Sequence, residues 1–340
     1  LHYFRDSFLN GNIYPRWLPD VYGGYGYPTF VFYQPGFFYV ALFFSLICID
    51  ILTAIHLTLL FFFFIGGCGM YLLAKKITKD YLISLFVSLL FIATPYLYVN
   101  LYVRGDLSEY ASMLILPYPL FFLYHLKDRL LRGGLAFFDL LISALSVASV
   151  ILMHPAPAMF SIPCFGIFAI VLLLQVPKDK QKKYFFAVIT AFITSLVISS
   201  PYWLTLLQLK KHVYYEWAIT DYFDIKNHGV YPLQLISNYW DYGGSEAGSE
   251  IDGMSFQLGL PHFILAIIGT FFGRKNKLNL LSFIFYVAFI ILMLPFSIPF
   301  WQSLEILRFI QFPWRLLSVI AFLQAICICG LFNFGVKHYN

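Results

Sequence analysis

Long apolar runs separated by short polar connections are the dominant pattern along this chain of 340 residues. A helix needs about 20 consecutive apolar residues to cross a bilayer. Nine runs approach or exceed that length and predict nine membrane spans: residues 52–74, 81–99, 110–126, 136–153, 157–175, 184–205, 258–273, 278–296 and 314–335. The pattern therefore predicts an all-α fold, a polytopic integral membrane helical bundle that forms a single domain over residues 1–340.

Fourteen of the 22 basic residues lie in connections that are two spans apart. These connections therefore all fall on one side of the predicted bundle. Because cytoplasmic connections carry an excess of Lys and Arg, we assign this side to the cytoplasm. These residues are Lys75, Lys76, Lys79, Lys127, Arg129, Arg132, Lys178, Lys180, Lys182, Lys183, Arg274, Lys275, Lys277 and Lys337. The opposite side comprises connections 1–51, 100–109, 154–156, 206–257 and 297–313, with all 17 acidic residues except Asp80, Asp128, Asp139 and Asp179. Function is expected on this acidic, outer side.

The apolar run 36–48 is too short to cross a bilayer comfortably. The charge distribution requires residues 52–74 to run from the outer to the cytoplasmic side. If 36–48 also crossed, residues 1–33 would be separated from the other acidic connections. We therefore expect 1–51 to be an outer loop with a juxtamembrane helix at 36–48, lying along or dipping into the outer interface. A short true span with an inverted loop is the alternative.

Only residues 206–257 otherwise form a connection long and polar enough for a large outer loop. The chain opens with Leu1, and its first residues have the character of the middle of a folded loop. We therefore expect the sequence to be a fragment that lacks an N-terminal span.

The composition agrees with a membrane location, since 60% of the residues are hydrophobic, 11% are charged and the mean hydropathy is +0.77. Ordinary soluble domains do not have such values. The net charge of only +5 gives no reason to expect a nucleic-acid partner. The five cysteines lie in apolar runs without a CxxC pair, so we expect buried thiols rather than disulfides or a zinc site.

The first outer connection combines ionisable side chains with a run rich in glycine and tyrosine. The run 23–28 can bring the backbone close to a ligand, and Tyr25 and Tyr27 offer aromatic faces for stacking against a sugar. The other candidate substrate-binding residues of this connection are His2, Arg5 and Arg16. A tight interfacial loop anchored by tyrosines is the alternative.

The second outer connection places Arg104, Asp106 and Glu109 at a span boundary. Two carboxylates and a guanidinium there suit a divalent metal, a phosphate group or general-base catalysis. Asp106 and Glu109 are three residues apart at the predicted start of a helix, so their carboxylates share one face of it. The alternative interpretation is that these carboxylates stabilise the helix N-terminus by interacting with the helix dipole. His154 lies between two spans on the same side and is a candidate for binding a phosphate or a metal, or simply ends a helix.

The last outer connection carries Arg308, Gln311 and Arg315 at the mouth of the final span. Outer connections are usually poor in basic residues. These arginines, together with Arg16 and Arg104, therefore indicate a site for an anionic group such as a lipid phosphate. The alternative for Arg315 is that its side chain reaches to the lipid headgroups.

Three stretches together carry a resemblance to a known family: GNIYPRWLPDVYGGYGYPTFVFYQPGFFY, YVRGDLSEYASMLILPYPL and LRFIQFPWRLL. They resemble the membrane family labelled 6-pyruvoyl-tetrahydropterin synthase-related, over most of the chain, although nothing here indicates pterin chemistry. That family is similar to the C-type glycosyltransferase superfamily and to YfhO-like bacterial membrane proteins. The resemblance implies a C-type glycosyltransferase-like fold, in which 36–48 corresponds to a juxtamembrane helix.

The resemblance also implies an enzyme that moves a sugar from a polyprenyl-phosphate donor to an acceptor on the outer face. An acidic residue just after the first span would be the base or a metal ligand, and it is expected before the start of this sequence. Asp6 is its nearest substitute, although its spacing from His2 does not match the family.

Other positions match the family's pattern directly. Glu109 matches the acidic position of the second outer connection and is expected, with Asp106, to assist deprotonation of the acceptor hydroxyl. Arg308 and Arg315 match the final motif, and we infer contact with the leaving phosphate from their charge and side. No cofactor is required, and a divalent metal is compatible with the pattern.

The expected partners are the lipid-linked sugar and the surrounding membrane lipids, while the oligomeric state stays open. The expected location is a prokaryotic plasma membrane, crossed many times, with the active face outside. A transporter of lipids or polysaccharide without enzymatic activity, or a membrane protein of envelope assembly, is the alternative function. Transporters usually place ionisable groups near the middle of the membrane, whereas this sequence places nearly all of them at span ends.

Overall fold

The protein is described by a computed structural model over residues 1–48, 50–214, 216–248 and 251–331. Its α-helices are α1 (His2–Leu9), α2 (Thr29–Phe32), α3 (Gly36–Ile47), α4 (Ile51–Thr78), α5 (Tyr81–Ile92), α6 (Pro95–Tyr98), α7 (Leu107–Ile115), α8 (Pro117–Arg132), α9 (Phe137–Met153), α10 (Pro155–Leu173), α11 (Lys178–Leu209), α12 (Pro232–Ile236), α13 (Leu260–Gly273), α14 (Lys277–Met293), α15 (Ile298–Gln302), α16 (Glu305–Arg308) and α17 (Leu317–Ile328). A π-helix spans Val99–Arg104, and 3₁₀ turns span Lys210–His212, Glu216–Ile219, Asp221–Phe223, Ile225–Asn227, Pro295–Ser297, Pro313–Leu316 and Cys329–Leu331. No strand occurs in the ranges described, where Leu18 and Tyr27 form an isolated bridge, so the all-α prediction is confirmed.

Fewer helices than predicted have the length of a membrane span. Among the described residues, four helical segments are long and apolar enough to cross a bilayer: Ile51–Thr78, Pro155–Leu173, Lys178–His212 and Pro313–Leu331. Two bent pairs would raise the number to six: Tyr81–Ile92 with Pro95–Arg104, and Lys277–Met293 with Pro295–Gln302. These apolar helices are consistent with an integral membrane protein. The nine predicted spans are not confirmed, and residues 332–335 of the predicted span 314–335 lie outside the described residues.

Proline residues and short helix lengths account for the difference between predicted and observed spans. The predicted span 81–99 bends by 42° where Pro95 begins α6, because proline cannot continue the hydrogen-bonding of the preceding helix. The predicted span 110–126 is divided between α7 and α8, which begins at Pro117. The helices α3, α9 and α13 are apolar but have only 10–17 residues each.

Short polar side chains define where several of the long helices begin. The side chain of Asp50 accepts a hydrogen bond from the backbone N–H of Thr53 at 2.8 Å, which caps α4. Asp80 caps α5 in the same way, through the N–H of Ile83 at 2.9 Å. Such caps satisfy backbone donors that have no partner within the helix.

The segment Pro313–Leu331 forms the centre of the bundle, and 89% of its most apolar window is buried. Its helix α17 is apolar on every side and packs against α13 and α14, as expected for a helix surrounded by others. The backbone of Gly269 on α13 packs directly on that of Cys327, where a side chain larger than hydrogen would collide. Small residues of this kind allow membrane helices to approach closely.

The basic connections meet at one end of the bundle, which we call the lysine-rich end. The ammonium group of Lys76 pairs with Asp128 at 2.6 Å, and Lys127 donates to Gln175 Oε1 at 2.8 Å. Nearby, Arg129 pairs with Asp139 at 3.2 Å. These contacts join the last turns of α4 and α8 to the start of α9 and to the connection between α10 and α11. The predicted grouping is confirmed for the basic residues near the ends of α4 and α8, it stays a prediction for Arg274, Lys275 and Lys277, and Lys337 lies outside the described residues.

The acidic connections meet at the opposite end, which we call the acidic end. Arg16 lies 3.5 Å from the carbonyl oxygen of Pro201, and Tyr202 donates to the carbonyl of Phe32 at 3.4 Å. Arg308 donates to the carbonyl of Ile219 at 3.3 Å. The fifth outer connection therefore contacts the fourth, and the first contacts α11 near its acidic end. Glu250, which was counted among their acids, lies outside the described residues.

The helix expected at 36–48 is present as α3, which ends at Ile47. It packs on α4 through Phe37 with Phe62, whose ring centroids lie 6.0 Å apart. Gly36 rests against the backbone of Leu152 at the end of α9. The existence of this helix is confirmed, and its position along the membrane surface stays a prediction.

Candidate active site at the acidic end

Several buried ionisable side chains meet where the π-helix turns into α7. Gly105 has φ 63°, a conformation that glycine adopts at little cost, and it ends the π-helix. The chain then reverses, and Asp106 caps α7 by accepting the backbone N–H of Glu109 on Oδ1 at 3.0 Å. Asp106 therefore has the position at the helix N-terminus that the alternative role requires, and the turn brings Arg104 and both carboxylates together.

Arg104 joins the two carboxylates. Its Nη2 lies 3.1 Å from Asp106 Oδ2, and its Nη1 lies 2.8 Å from Glu109 Oε2. Nη1 also donates to the side-chain oxygen of Asn100, and the guanidinium lies 4.6 Å from the centre of the Trp314 ring. The side chain is only 11% exposed, so these contacts replace most of its hydration.

Glu109 is completely buried and has a partner at each carboxylate oxygen. Oε1 accepts hydrogen bonds from Tyr96 Oη at 2.8 Å and from Ser318 Oγ at 2.6 Å. Oε2 faces Arg104 and, at 3.6 Å, the Nε of Arg315. A buried carboxylate is tolerated only when it is paired and hydrogen-bonded in this way. Glu109 is therefore the anchor that fastens α7 to the central segment.

His154 lies beside the same carboxylates, and its orientation fixes its tautomer. Its Nδ1 accepts the backbone N–H of Ala156 at 3.2 Å and so caps α10. In the neutral imidazole the proton must then be on Nε2. That atom lies 3.6 Å from Asp106 Oδ2 and 3.9 Å from Glu109 Oε2. His154 therefore points an N–H at the carboxylates.

Asp106 is held as a carboxylate by its surroundings. Burial raises the pKa of Asp106, but His154, Arg104 and Arg315 outweigh burial, so the pKa lies well below its ordinary value. With 15% of its side chain exposed, Asp106 is more accessible than Glu109. Asp106 is therefore the ionised oxygen acceptor at the open edge of the site.

The first outer connection reaches the site through Tyr33. Burial raises the pKa of this phenol, and the negative charge of Asp106 raises it further. Tyr33 is 39% exposed, so it lies at the rim beside Asp106. The predicted stacking residues are placed differently: Tyr25 is 89% exposed at a loop tip, and Tyr27 packs against Tyr22.

Arg315 has a donor that the described residues leave without an acceptor. Its Nη1 donates to the carbonyl of Ile310 at 3.2 Å and lies 3.5 Å from Gln311 Oε1. Its Nε has no hydrogen bond within the described chain, since Glu109 Oε2 at 3.6 Å is beyond hydrogen-bond distance. A buried guanidinium N–H of this kind suits an oxygen of a bound anion.

Gln311 and Arg308 bind the fourth outer connection rather than the carboxylates. Gln311 donates to the carbonyl of Ala218 at 2.8 Å, and Arg308 donates to that of Ile219. Gln311 still touches the site through Arg315. For Arg308, contact with a substrate phosphate stays a prediction.

The ionisable residues of α1 lie away from this cluster. His2 and Asp6 pair with each other at 3.2 Å, with side chains 65% and 48% exposed. One helical turn separates them, so their proximity follows from helix geometry alone. Arg5 lies on the same helix, and Arg16 stacks over the ring of Tyr14 at 4.7 Å. Their roles in binding or catalysis stay predictions.

A divalent metal does not fit this donor set as it stands. Asp106, Glu109 and His154 each offer a ligand atom, and these atoms lie within 4.8 Å of one another. However, both Glu109 oxygens already face donors, and the Nε2 of neutral His154 carries a proton. The two arginines also balance the two carboxylates, so the attraction for a further cation is small. We assign no step to a metal.

Sequence reasoning missed Tyr96, Asn100 and Ser318. A usable signal was the four-residue spacing of Tyr96, Asn100 and Arg104, which places them on one face of a helix. Ser318 follows Arg315 by three residues and shares its face. Isolated polar residues of this kind hardly change the mean hydropathy of an apolar run, so a prediction of spans from hydropathy does not single them out.

Comparison of the chain with protein-family models, with curated proteins and with solved structures gives no match. The family resemblance and the glycosyltransferase-like fold therefore stay predictions. What the structure adds is the cluster itself: Arg104, Asp106, Glu109, His154 and Arg315 were all predicted as site residues, and they meet at one place.

Proposed function

We propose that the chain is a membrane glycosyltransferase that moves a sugar from a polyprenyl-phosphate donor to a hydroxyl acceptor at the acidic end. The observation that carries this proposal is the buried cluster around Glu109, in which Arg315 Nε lacks a hydrogen bond and the side chains of Asp106 and Arg315 are 15% and 16% exposed. Ionisable groups buried at the edge of a membrane are functional candidates by default. A phosphate and a hydroxyl are the two groups that these side chains suit.

Arg315 would bind the phosphate that leaves the sugar. Its Nε has no hydrogen bond within the described residues, and the guanidinium charge would stabilise the negative charge that develops as the bond breaks. Arg104 would hold the cluster in position, because its own donors are already bound to Asn100, Asp106 and Glu109. The preorganised guanidinium groups would need little rearrangement during the reaction.

Asp106 would accept the proton of the acceptor hydroxyl. The hydroxyl oxygen would form a bond to the anomeric carbon of the sugar, while the bond from that carbon to the phosphate oxygen breaks. The electron pair of that bond leaves with polyprenyl phosphate, and the hydroxyl proton passes to the Asp106 carboxylate. A single displacement of this kind inverts the anomeric configuration. The lowered pKa of Asp106 keeps the group ionised before the reaction, and it also makes the carboxylate a weaker base.

An apolar cavity supports binding of a lipid tail. It has a volume of about 490 Å³ and lies between α8, α10 and α11, with Leu123, Ile162 and Phe192 in its walls. Ile162 follows His154 by eight residues, which corresponds to about 12 Å along a helix. A tail whose phosphate lies at Arg315 would follow the bundle for that distance before it enters the cavity.

The test uses the purified chain in detergent with polyprenyl-phosphate hexoses that carry a radiolabel in the sugar. Release of polyprenyl phosphate should depend on Asp106 and Arg315. Asp106→Asn and Arg315→Gln should each lower turnover by at least 100-fold, in line with the typical contribution of a general base or a charge-stabilising group. The matched control is Lys226→Gln, which removes an exposed cation at the same end of the molecule. Turnover that is equal in all four proteins would overturn the proposal.

A transporter of the same lipid is the second candidate, and one observation favours it. The helix pair that delivers Tyr96, Asn100 and Arg104 is broken and bent by 42°, and transporters build their sites from discontinuous helices. Proteoliposomes distinguish the two functions. Movement of intact lipid-linked sugar between leaflets, without release of polyprenyl phosphate, would identify the transporter.

A further inference from the structure

A second cavity, lined by charged side chains, lies at the lysine-rich end, between the ends of α4 and α8. It has a volume of about 750 Å³. Its charged walls consist of five cations and one carboxylate: Lys75, Lys76, Lys79, Lys127, Arg132 and Asp128. We call this cavity the lysine pocket. The proposed active site makes no use of it.

The charges of the lysine pocket are not balanced within the described chain. Asp128 is its one carboxylate, and it pairs with Lys76 at 2.6 Å. At the acidic end, by contrast, two arginines face two carboxylates. Four further cations therefore share the lysine pocket, and their mutual repulsion favours the entry of an anion.

The remaining walls of the pocket are apolar and aromatic. Leu72 and Leu131 line it and are each 39% exposed, so the apolar wall continues onto the outer surface of the bundle. The ammonium group of Lys127 lies 5.1 Å from the centre of the Tyr124 ring, and that of Lys75 lies 4.1 Å from the ring of Tyr81. These contacts hold the cations beside an apolar surface.

The depth of the pocket matches that of lipid headgroups. The helix α4 has 28 residues, a length of about 42 Å, which exceeds the hydrocarbon thickness of roughly 30 Å. Its apolar run ends just before Lys75, so Lys75, Lys76 and Lys79 occupy the polar layer. Tyr81, next along the chain, is of the type that anchors helices at this interface.

We propose that the lysine pocket binds the anionic headgroup of a phospholipid from the leaflet at this end of the bundle. The unbalanced cations would bind the phosphate, and Leu72 and Leu131 would contact the start of the acyl chains. Basic pockets between membrane helices recognise anionic lipids in this way. A soluble phosphate ion would meet the same cations but would gain nothing from the apolar wall, so the lipid is the occupant.

The test measures how many phosphatidylglycerol molecules the purified full chain retains, by native mass spectrometry after incubation in mixed micelles of phosphatidylglycerol and phosphatidylcholine. The pocket variant is Lys79→Asn with Lys127→Gln. Asparagine tolerates the left-handed backbone of Lys79, whose φ is 59°, and glutamine retains the ability to bond to Gln175. The matched control is Lys182→Gln with Lys183→Gln, which removes two exposed cations from the same end of the bundle.

Each cation near a membrane surface contributes on the order of fivefold in binding. Retention of phosphatidylglycerol should therefore fall on the order of 25-fold in the pocket variant and stay within about twofold of the native level in the control. Equal retention in both variants, or an equal loss in both, would overturn the proposal. If the double variant does not fold, Arg132→Gln alone should lower retention of phosphatidylglycerol on the order of fivefold. Unchanged retention in Arg132→Gln would also overturn the proposal.

Inorganic phosphate distinguishes the lipid from a soluble anion. At 10 mM it should leave phosphatidylglycerol bound to the native protein, because it lacks the apolar part of the ligand. Displacement of the lipid by phosphate would show that the pocket binds soluble anions and would overturn the assignment. When the same measurement uses phosphatidylcholine alone, the native protein and the variant Lys79→Asn with Lys127→Gln should retain equal amounts of lipid.

Discussion

At the scale of single residues, the cluster around Glu109 shows how a charged group is stabilised away from water. Each oxygen of that carboxylate faces two donors, and the arginines that supply the balancing charge are themselves tied to carbonyls and aromatic rings. Removal of one partner from a buried ion pair lowers the free energy of unfolding by more than the intact pair contributes to it, because the other charge then stays buried without a partner. Individual side chains therefore have large and testable effects.

Arg104→Gln should strongly destabilise the protein. The change leaves the buried carboxylates of Asp106 and Glu109 without their closest cation, so we expect the free energy of unfolding to fall by about 3–5 kcal/mol. Thermal unfolding in detergent measures this. The control is Lys226→Gln, an exposed cation 3.1 Å from Asp224, where we expect a change below about 1 kcal/mol. Equal effects at the two positions would contradict this account of the cluster.

Asp106 should make stability depend on pH under acidic conditions. Its pKa in the folded protein is lowered from an unfolded value of about 3.9. The ionised group therefore contributes its full stability above that value and loses it as the pH falls towards the folded pKa. The difference in unfolding free energy between the native chain and Asp106→Asn should shrink as the pH falls below about 4. A difference that persists unchanged at pH 3 would argue against the lowered pKa.

At the scale of helices, glycine sets the distance between α4 and its neighbours. A Cβ atom added at Gly66 would lie 2.5 Å from the side chain of Leu114 on α7, and one added at Gly69 would lie 2.7 Å from the ring of Tyr118 on α8. Because side chains of α7 and α8 fill these gaps, α4 holds the helix that carries Glu109. The geometry of the site therefore depends on contacts outside it.

Gly66→Ala and Gly67→Ala form a matched pair on adjacent residues. The added methyl group at Gly66 should force α4 and α7 apart and lower the unfolding free energy by about 1–3 kcal/mol. At Gly67 the nearest atoms would lie 3.7 Å away, an ordinary contact, so helix propensity alone should leave stability unchanged or raise it by up to about 1 kcal/mol. Unfolding midpoints in detergent compare the two, and a larger loss at Gly67 would be inconsistent with this packing.

The sequence predicted much of the helical architecture but not the breaks in it. Hydropathy identifies apolar runs and not backbone direction, so the bend at Pro95 and the division at Pro117 shortened helices that had been expected to span. The cluster was largely predictable, because basic residues such as Arg104 and Arg315 are uncommon in outer connections and stand out there. Tyr96 and Ser318 were not, because their role depends on which helices become neighbours. The pairing of His2 with Asp6 was available from their spacing alone.

At the scale of the whole molecule, the two ends differ in charge and in chemistry. The acidic end collects the long connections and the buried cluster, while the lysine-rich end carries an excess of cations around an open pocket. Membrane proteins with such a bias insert with the basic end towards the cytoplasm. The orientation of the chain is therefore a prediction with a direct test.

Cysteine labelling tests that orientation in intact cells. Asn10→Cys and Ala247→Cys place exposed thiols at the acidic end, and Lys182→Cys places one at the lysine-rich end. A membrane-impermeant maleimide should reach the first two from outside and the third only after the membrane is opened. Ser245 would be a poor probe, because it is 4% exposed and its hydroxyl is hydrogen-bonded to His228. Labelling of Asn10 and Ala247 from opposite sides would invalidate the topology.

The burial of α17 sets an order on the assembly of the molecule. Translation delivers this helix after the other described helices with which it packs, so those helices lack their central partner until residues 313–331 emerge. During that interval Glu109 lacks Ser318 and Arg315, and its side chain relies on Tyr96, Arg104 and water. Completion of the ion cluster and closure of the bundle are thus the same late event of biogenesis, and no intermediate that precedes it can possess the site.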